Sequence, residues 1–174
     1  MKIRLEDIPK EGREVFFIVN VPSPGELGPQ VKKMDGPVNA RLRLARRGKK
    51  VFLKGEFDAS LILYCSRCLE ETPVTLAAPL EMVFMPQPED MAEEVVLAED
   101  DLAITFFDEG EIDLDRAVLD ELTLALPMAP LCSPECQGIC PACGKSHTKD
   151  GCGCTDKHNI DPRWAKLAQL KEED

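Results

Sequence analysis

Aromatic side chains are few: seven Phe, one Tyr and one Trp make up 5% of the 174 residues. Any core must therefore rest on Leu, Val, Ile, Ala and Met, for which an apolar fraction of 44% is ample. Histidine is scarcer still. His147 and His158 stand in no pattern with Glu or Asp that would suit a hydrolytic metal ion; either could replace a cysteine as a ligand, but both are expected to be surface residues of the C-terminal tail. No apolar run approaches the roughly 20 residues that span a bilayer. The opening Met1-Lys2-Ile3-Arg4-Leu5-Glu6-Asp7 has no apolar stretch of signal-peptide length. The expectation is a cytoplasmic protein without membrane contact, in a reducing compartment where disulfides are disfavoured. There is no Gly-rich phosphate loop, nucleophile elbow or H-E-x-x-H motif, so nothing argues for an enzyme or a small-molecule substrate.

An overall excess of positive charge is also missing. A formal net charge of −11 excludes a generic nucleic-acid coat, which needs Lys and Arg to neutralise phosphates. The charge is nevertheless segregated. Seven bases, Arg41, Arg43, Arg46, Arg47, Lys49, Lys50 and Lys54, fall within fourteen residues, whereas Glu89 to Glu121 holds fourteen acids and the single base Arg116. The basic stretch is a candidate RNA-facing surface, and a solvated strand face is its plain structural alternative. The acidic stretch is a candidate contact for a basic protein.

Periodicity outlines an α+β chain. Ile3 and Leu5 can start a strand, and Val15 to Val19 is a short β-like run. Pro22, Pro24-Gly25 and Gly28-Pro29 then mark a loop. Val38, Ala40, Leu42 and Leu44 alternate with Asn39, Arg41 and Arg43, the period of a half-buried strand. The alternation resumes at Val51 after a turn at Arg46 to Lys50, which predicts an antiparallel hairpin. Leu61 to Tyr64, Thr72 to Leu76, Leu80 to Met85 and Leu102 to Phe107 read as further strands, with Pro73 and Pro79 suggesting an edge or a bulge. Pro86 to Asp101 reads as an acidic loop. Asp113 offers an N-cap oxygen to a helix carrying Leu114, Val118, Leu122 and Leu126 at i, i+4 spacing, ended by Pro127. Asp161-Pro162 starts a last short helix. The expected architecture is an antiparallel, partly barrel-like sheet with a packed helix over 1–130, followed by a zinc-binding tail over 131–174.

The eight cysteines are Cys65, Cys68, Cys132, Cys136, Cys140, Cys143, Cys152 and Cys154, and none stands alone. A C-x-x-C turn aims two sulfurs at one point, and tetrahedral zinc takes four. Four pairs thus make two sites, with Zn2+ as the expected ion in each. Cys140-Pro141-Ala142-Cys143-Gly144 and Cys152-Gly153-Cys154 form a local ribbon. Cys65 and Cys68 with Cys132 and Cys136 would clasp the sheet to the end of the helix, although spacing alone does not force this pairing. Iron in a rubredoxin-like setting, an iron–sulfur cluster, disulfides and a redox cysteine are the rival readings.

The succession of motifs resembles a known family. Cys65-Ser66-Arg67-Cys68-Leu69 follows a strand. Glu111-Ile112-Asp113-Leu114, Asp120-Glu121, Leu124-Ala125-Leu126-Pro127-Met128 and Pro130 come next. Cys136-Gln137-Gly138-Ile139-Cys140-Pro141-Ala142-Cys143-Gly144 and Asp161-Pro162-Arg163 complete the series. Across residues 55–172 the chain is similar to the YceD family of large ribosomal RNA subunit accumulation proteins. The resemblance implies a non-enzymatic role in making or stabilising large-subunit (23S-type) ribosomal RNA. It also implies pre-rRNA or a large-subunit ribosomal protein as partner. Some family members lack the C-P-x-C-G tail but keep the first C-x-x-C, which suggests a clasp that exists without the ribbon. A zinc-ribbon adaptor unrelated to ribosomes and an iron-binding redox protein are the competing functional readings.

Overall fold

A computed structural model describes residues 1–21, 23–87, 104–107, 110–141, 143–146 and 154. Of the expected acidic loop Pro86 to Asp101, Pro86 instead ends a strand, and residues 88–101 lie outside the described residues, as do the helix after Asp161, His147, His158 and Cys152.

The alternation in the middle of the chain produces three long strands. β1 (Lys2–Arg4), β2 (Arg13–Val19) and β3 (Val31–Met34) precede β4 (Val38–Arg47), β5 (Lys50–Tyr64) and β6 (Glu71–Pro86). β7 (Ile104–Phe107) and β8 (Glu111–Asp113) follow, and α1 (Leu114–Ala125) comes after them. The main sheet runs β2-β4-β5-β6-β7, and β3 pairs with β5 beyond the end of β4. β1 and β8 form a separate antiparallel pair.

Two expectations need correction. Thr72 to Leu76 and Leu80 to Met85 form one strand of 16 residues instead of two. Pro73 and Pro79 are an even number of residues apart and present their missing N–H to the same side. A strand keeps both where that side is an open edge. Along Glu71 to Met82 no strand flanks β6 on the side away from β5 among the described residues. The sheet is also mixed, not purely antiparallel, because β7 pairs parallel with β6. β7 lies beside the last four residues of β6, Val83 to Pro86, and a parallel partner needs a crossover connection that local alternation cannot reveal.

The sheet curls into a half-barrel, and Gly55 shows why. A Cβ there would lie 2.1 Å from the Arg41 carbonyl oxygen and 2.8 Å from Leu42 Cα, so only glycine lets β5 bend this closely over β4. The concave interior is filled by Leu42, Leu44, Val51, Leu53, Leu61, Leu63 and Leu80, all essentially without solvent exposure. α1 closes this core with Leu114, Val118 and Leu122. Its start is set by Asp113, whose carboxylate accepts a hydrogen bond from the Arg116 backbone N–H at 3.2 Å. Pro127 follows its last turn, and the next residues run back toward the β5–β6 connection.

Candidate metal centres and the basic strand face

The β5–β6 connection is a cysteine knuckle. The Cys65 N–H donates to the Glu70 carbonyl at 2.9 Å, and the Leu69 N–H donates to the Cys65 carbonyl at 2.9 Å. This tight loop leaves Leu69 in the left-handed region at φ 61°, a conformation that non-glycine residues adopt at a cost of about 1–2 kcal/mol. The segment after α1 is tied onto the knuckle. The Ser66 N–H and hydroxyl both donate to the Pro130 carbonyl, at 2.8 and 3.1 Å. Arg67 Nη1 donates to the Cys136 carbonyl at 2.9 Å. Gly138, at φ 79°, lies so close that a Cβ there would sit 3.1 Å from the Arg67 carbonyl oxygen.

These ties bring Cys65, Cys68, Cys132 and Cys136 together, with all four sulfurs within 4.8 Å of one another. Cys65 Sγ lies 3.7 Å from Cys136 Sγ, and Cys68 Sγ lies 3.6 Å from Cys132 Sγ. A disulfide would need about 2.05 Å. Four thiolates at about 2.3 Å around one tetrahedral ion are separated by about 3.8 Å, close to the 3.7 and 3.6 Å of these two pairs. An iron–sulfur cluster places several metal atoms and sulfides between its thiolates and needs a wider cage. The chemistry of the set therefore fits one tetrahedral ion with no open position.

The electrostatics also call for a cation. Burial pushes the Cys65 thiol up, but hydrogen bonds from the backbone N–H groups of Cys132, Cys68 and Arg67 and from the Cys68 thiol outweigh it, bringing it down to about 6. The Cys136 sulfur, followed by burial and the Cys68 and Cys65 sulfurs, pushes Cys132 up to about 12. For Cys136 burial is the main reason that the thiol is raised. A thiolate is favoured at one corner and opposed at its neighbours, as expected when like charges converge without a metal ion.

A second group gathers Cys140, Cys143 and Cys154, again with sulfurs within 4.8 Å. Its knuckle has the same hydrogen bonds: the Cys140 N–H donates to the Lys145 carbonyl and the Gly144 N–H to the Cys140 carbonyl, both at 2.8 Å. Gly144 takes the left-handed position at φ 72°. Cys140 is buried, whereas Cys143 and Cys154 are exposed. Cys152 lies outside the described residues.

The seven bases between Arg41 and Lys54 do not act as one face. Arg41, Arg43, Arg47, Lys50 and Lys54 point outward, as their strand parity requires, and Lys49 lies in the turn. Arg46 has the opposite parity. Its guanidinium donates to the carbonyls of Gly48 and Leu5, at 3.0 and 3.3 Å, and serves the fold. Lys54 pairs with Glu81 at 3.1 Å. Arg41 lies over the Phe16 ring, 4.7 Å from its centroid, and Arg47 over Phe52 at 5.6 Å. Sequence reading overlooked Ser66 and Arg67 as ties, because neither residue type signals a tertiary contact. It also passed over Phe16. The unbroken apolar run Val15 to Val19 was the available signal, since it puts apolar residues on both faces of β2.

A family model described as Large ribosomal RNA subunit accumulation protein YceD matches residues 53–171. An uncharacterized protein of Mycobacterium leprae is 31% identical over 170 residues, covering 94% of this chain and 76% of its own. A chloroplastic protein of Arabidopsis thaliana, named as a homolog of the large ribosomal RNA subunit accumulation protein, is 23% identical over 164 residues, covering 79% of this chain and 49% of its own. The large ribosomal RNA subunit accumulation protein of Haemophilus influenzae is 40% identical over 88 residues, covering 50% of this chain and 48% of its own. No solved structure matches. Among the described residues no helix is long and apolar enough to cross a membrane.

Proposed function

Because the chain belongs to the YceD family of large ribosomal RNA subunit accumulation proteins, we propose that it supports accumulation of large-subunit ribosomal RNA by associating directly with that RNA. The family match carries this reading, and the outward bases of β4 and β5 supply a surface for phosphates. A protein partner, such as a basic ribosomal protein meeting the acidic stretch, is the competing outcome. The role is non-enzymatic and cytoplasmic. Each cysteine group would hold Zn2+ as scaffold: the thiolates of Cys65, Cys68, Cys132 and Cys136 would leave no position for a reacting water and would tie the β5–β6 knuckle to the segment after α1.

The test is crosslinking in cells, read out for both RNA and protein, with metal content measured on the same purified material. Recovery of large-subunit rRNA with about two zinc ions per chain is expected. Charge reversal at Arg47, Lys49 and Lys50 should reduce the RNA yield; Arg46 is left intact because it braces the turn. Unchanged RNA recovery in that variant would remove the direct contact, and an iron-coloured protein would remove the zinc.

A further inference from the structure

The outer face of the sheet holds a groove of about 850 Å³ that runs from Phe16 and Ile18 on β2, across β4 and β5, to Pro79 on β6. Its floor follows the ladder. Phe16 pairs with Arg41, Arg41 with Glu56, and Glu56 with Pro79. The next row is Ile18, Asn39, Asp58 and Ala77. Phe16 is 61% exposed and Ile18 is 67% exposed, high values for apolar side chains in a sheet that buries so many others. Arg41 is already stacked over the Phe16 ring. Six residues further along β4, a distance of about 20 Å, Arg47 is stacked over Phe52 in the same way. Between them lie the outward bases Arg43 and Lys54, and Lys50 stands opposite Arg47.

Resting on the RNA reading above, we propose that this face is a stacking platform for single-stranded RNA. One unpaired base enters the groove against Phe16 and Arg41, and a second stacks on Phe52 and Arg47. Exposed rings paired with guanidinium planes accept any base by its π-face. The charge pattern sets the orientation of the strand. Glu56 and Asp58 line the groove, and Asp58 already accepts a hydrogen bond from Asn39 at 2.8 Å. These carboxylates repel a phosphate but accept a base amino or imino N–H, so the base enters the groove and the backbone stays outside it. At the β4–β5 turn Arg47, Lys49 and Lys50 make no ion pair among the described residues, and phosphates meet them there. Glu14 and Glu81 flank Arg43 and Lys54, which narrows the basic track to the line between the two stacks. A duplex hides its bases and cannot use either stack.

The experiment is fluorescence anisotropy on the full zinc-loaded chain with an oligouridine of about ten nucleotides and with a G·C-rich RNA duplex of about the same length. The single strand is expected to bind at least about tenfold more tightly than the duplex, and Phe16→Ala to weaken it about tenfold with the salt slope unchanged. Phe16→Trp should retain binding, which separates loss of the ring from loss of fold. Arg47→Gln with Lys50→Gln should instead lower the salt slope by about 1.4. Equal affinity for the duplex, or parental binding by Phe16→Ala, would overturn the platform and leave RNA binding to another surface. Absence of binding to either RNA would overturn the platform and the direct-RNA reading together.

Discussion

The Cys65–Cys68 and Cys140–Cys143 turns share one backbone design and differ in what surrounds it. In each, the first cysteine N–H donates five residues ahead, and its carbonyl accepts from the residue four ahead. That residue is left-handed, at φ 61° in Leu69 and 72° in Gly144. The first knuckle is inserted between two long strands and receives Cys132 and Cys136 from beyond α1. Cys65, Cys68 and Cys136 are buried there and pack with Leu131. In the second group, drawn from the tail, two of the three described cysteines face solvent. The hydrogen bonds of a knuckle therefore shape a pair of ligands, but its energetic reach depends on which segments supply the other pair. A site that joins distant segments couples metal binding to the whole fold, whereas a local one orders its own loop.

Four experiments test this contrast. The largest effect belongs to Cys65→Ser, which removes a ligand with no solvent exposure and leaves three thiols converging without their ion. A loss of more than about 4 kcal/mol is expected, seen as a fall in Tm of more than about 10 °C. Cys143→Ser should remove about one zinc equivalent, measured with a chromogenic chelator, while the main thermal transition moves by less than about 2 °C. Equal loss of the fold in both variants would dissolve the distinction.

Proton release comes next. Cys132 is pushed up to about 12 without an ion, so below that pH a metal ion must displace its proton. Zinc uptake at neutral pH should therefore acidify a weakly buffered solution, and apparent affinity should rise with pH. Affinity independent of pH would mean that these thiols are not the ligands. The smallest effect tests the shared backbone. Leu69 is 62% exposed, so Leu69→Gly relieves the left-handed strain with little loss of burial and should stabilise by about 0.5 kcal/mol. Among the described residues no atom lies within 4 Å of a Cβ placed on Gly144, so Gly144→Ala should weaken zinc binding by the tail by about 1 kcal/mol through its φ of 72°. Urea titration and zinc competition read the two changes.

Much of the fold was legible because it is local. The inward residues Leu42, Leu44, Val51 and Leu53 and the helix residues Leu114, Val118 and Leu122 announce themselves by period, and each is buried. The join of two expected strands into β6 was not legible, because the prolines that interrupt the pattern are harmless at an open edge. The parallel β7 was hidden for another reason: strand direction depends on a partner far along the chain. Similarly, composition could count the bases of the hairpin but not separate Arg46, which turns inward, from the bases that face solvent.

The cysteines mark the same boundary. Pairing within each C-x-x-C is a matter of spacing, since a tight turn must bring two sulfurs to one side, and this was readable from the chain alone. The meeting of Cys65 and Cys68 with Cys132 and Cys136 is not. It depends on the curl that Gly55 permits, on the length of α1, and on the hydrogen bonds from Ser66 and Arg67 that seat the returning segment. Those contacts join residues more than 60 positions apart. Only the packed sheet and helix can set their geometry, because loop closure over such a span is entropically costly until the intervening core is formed.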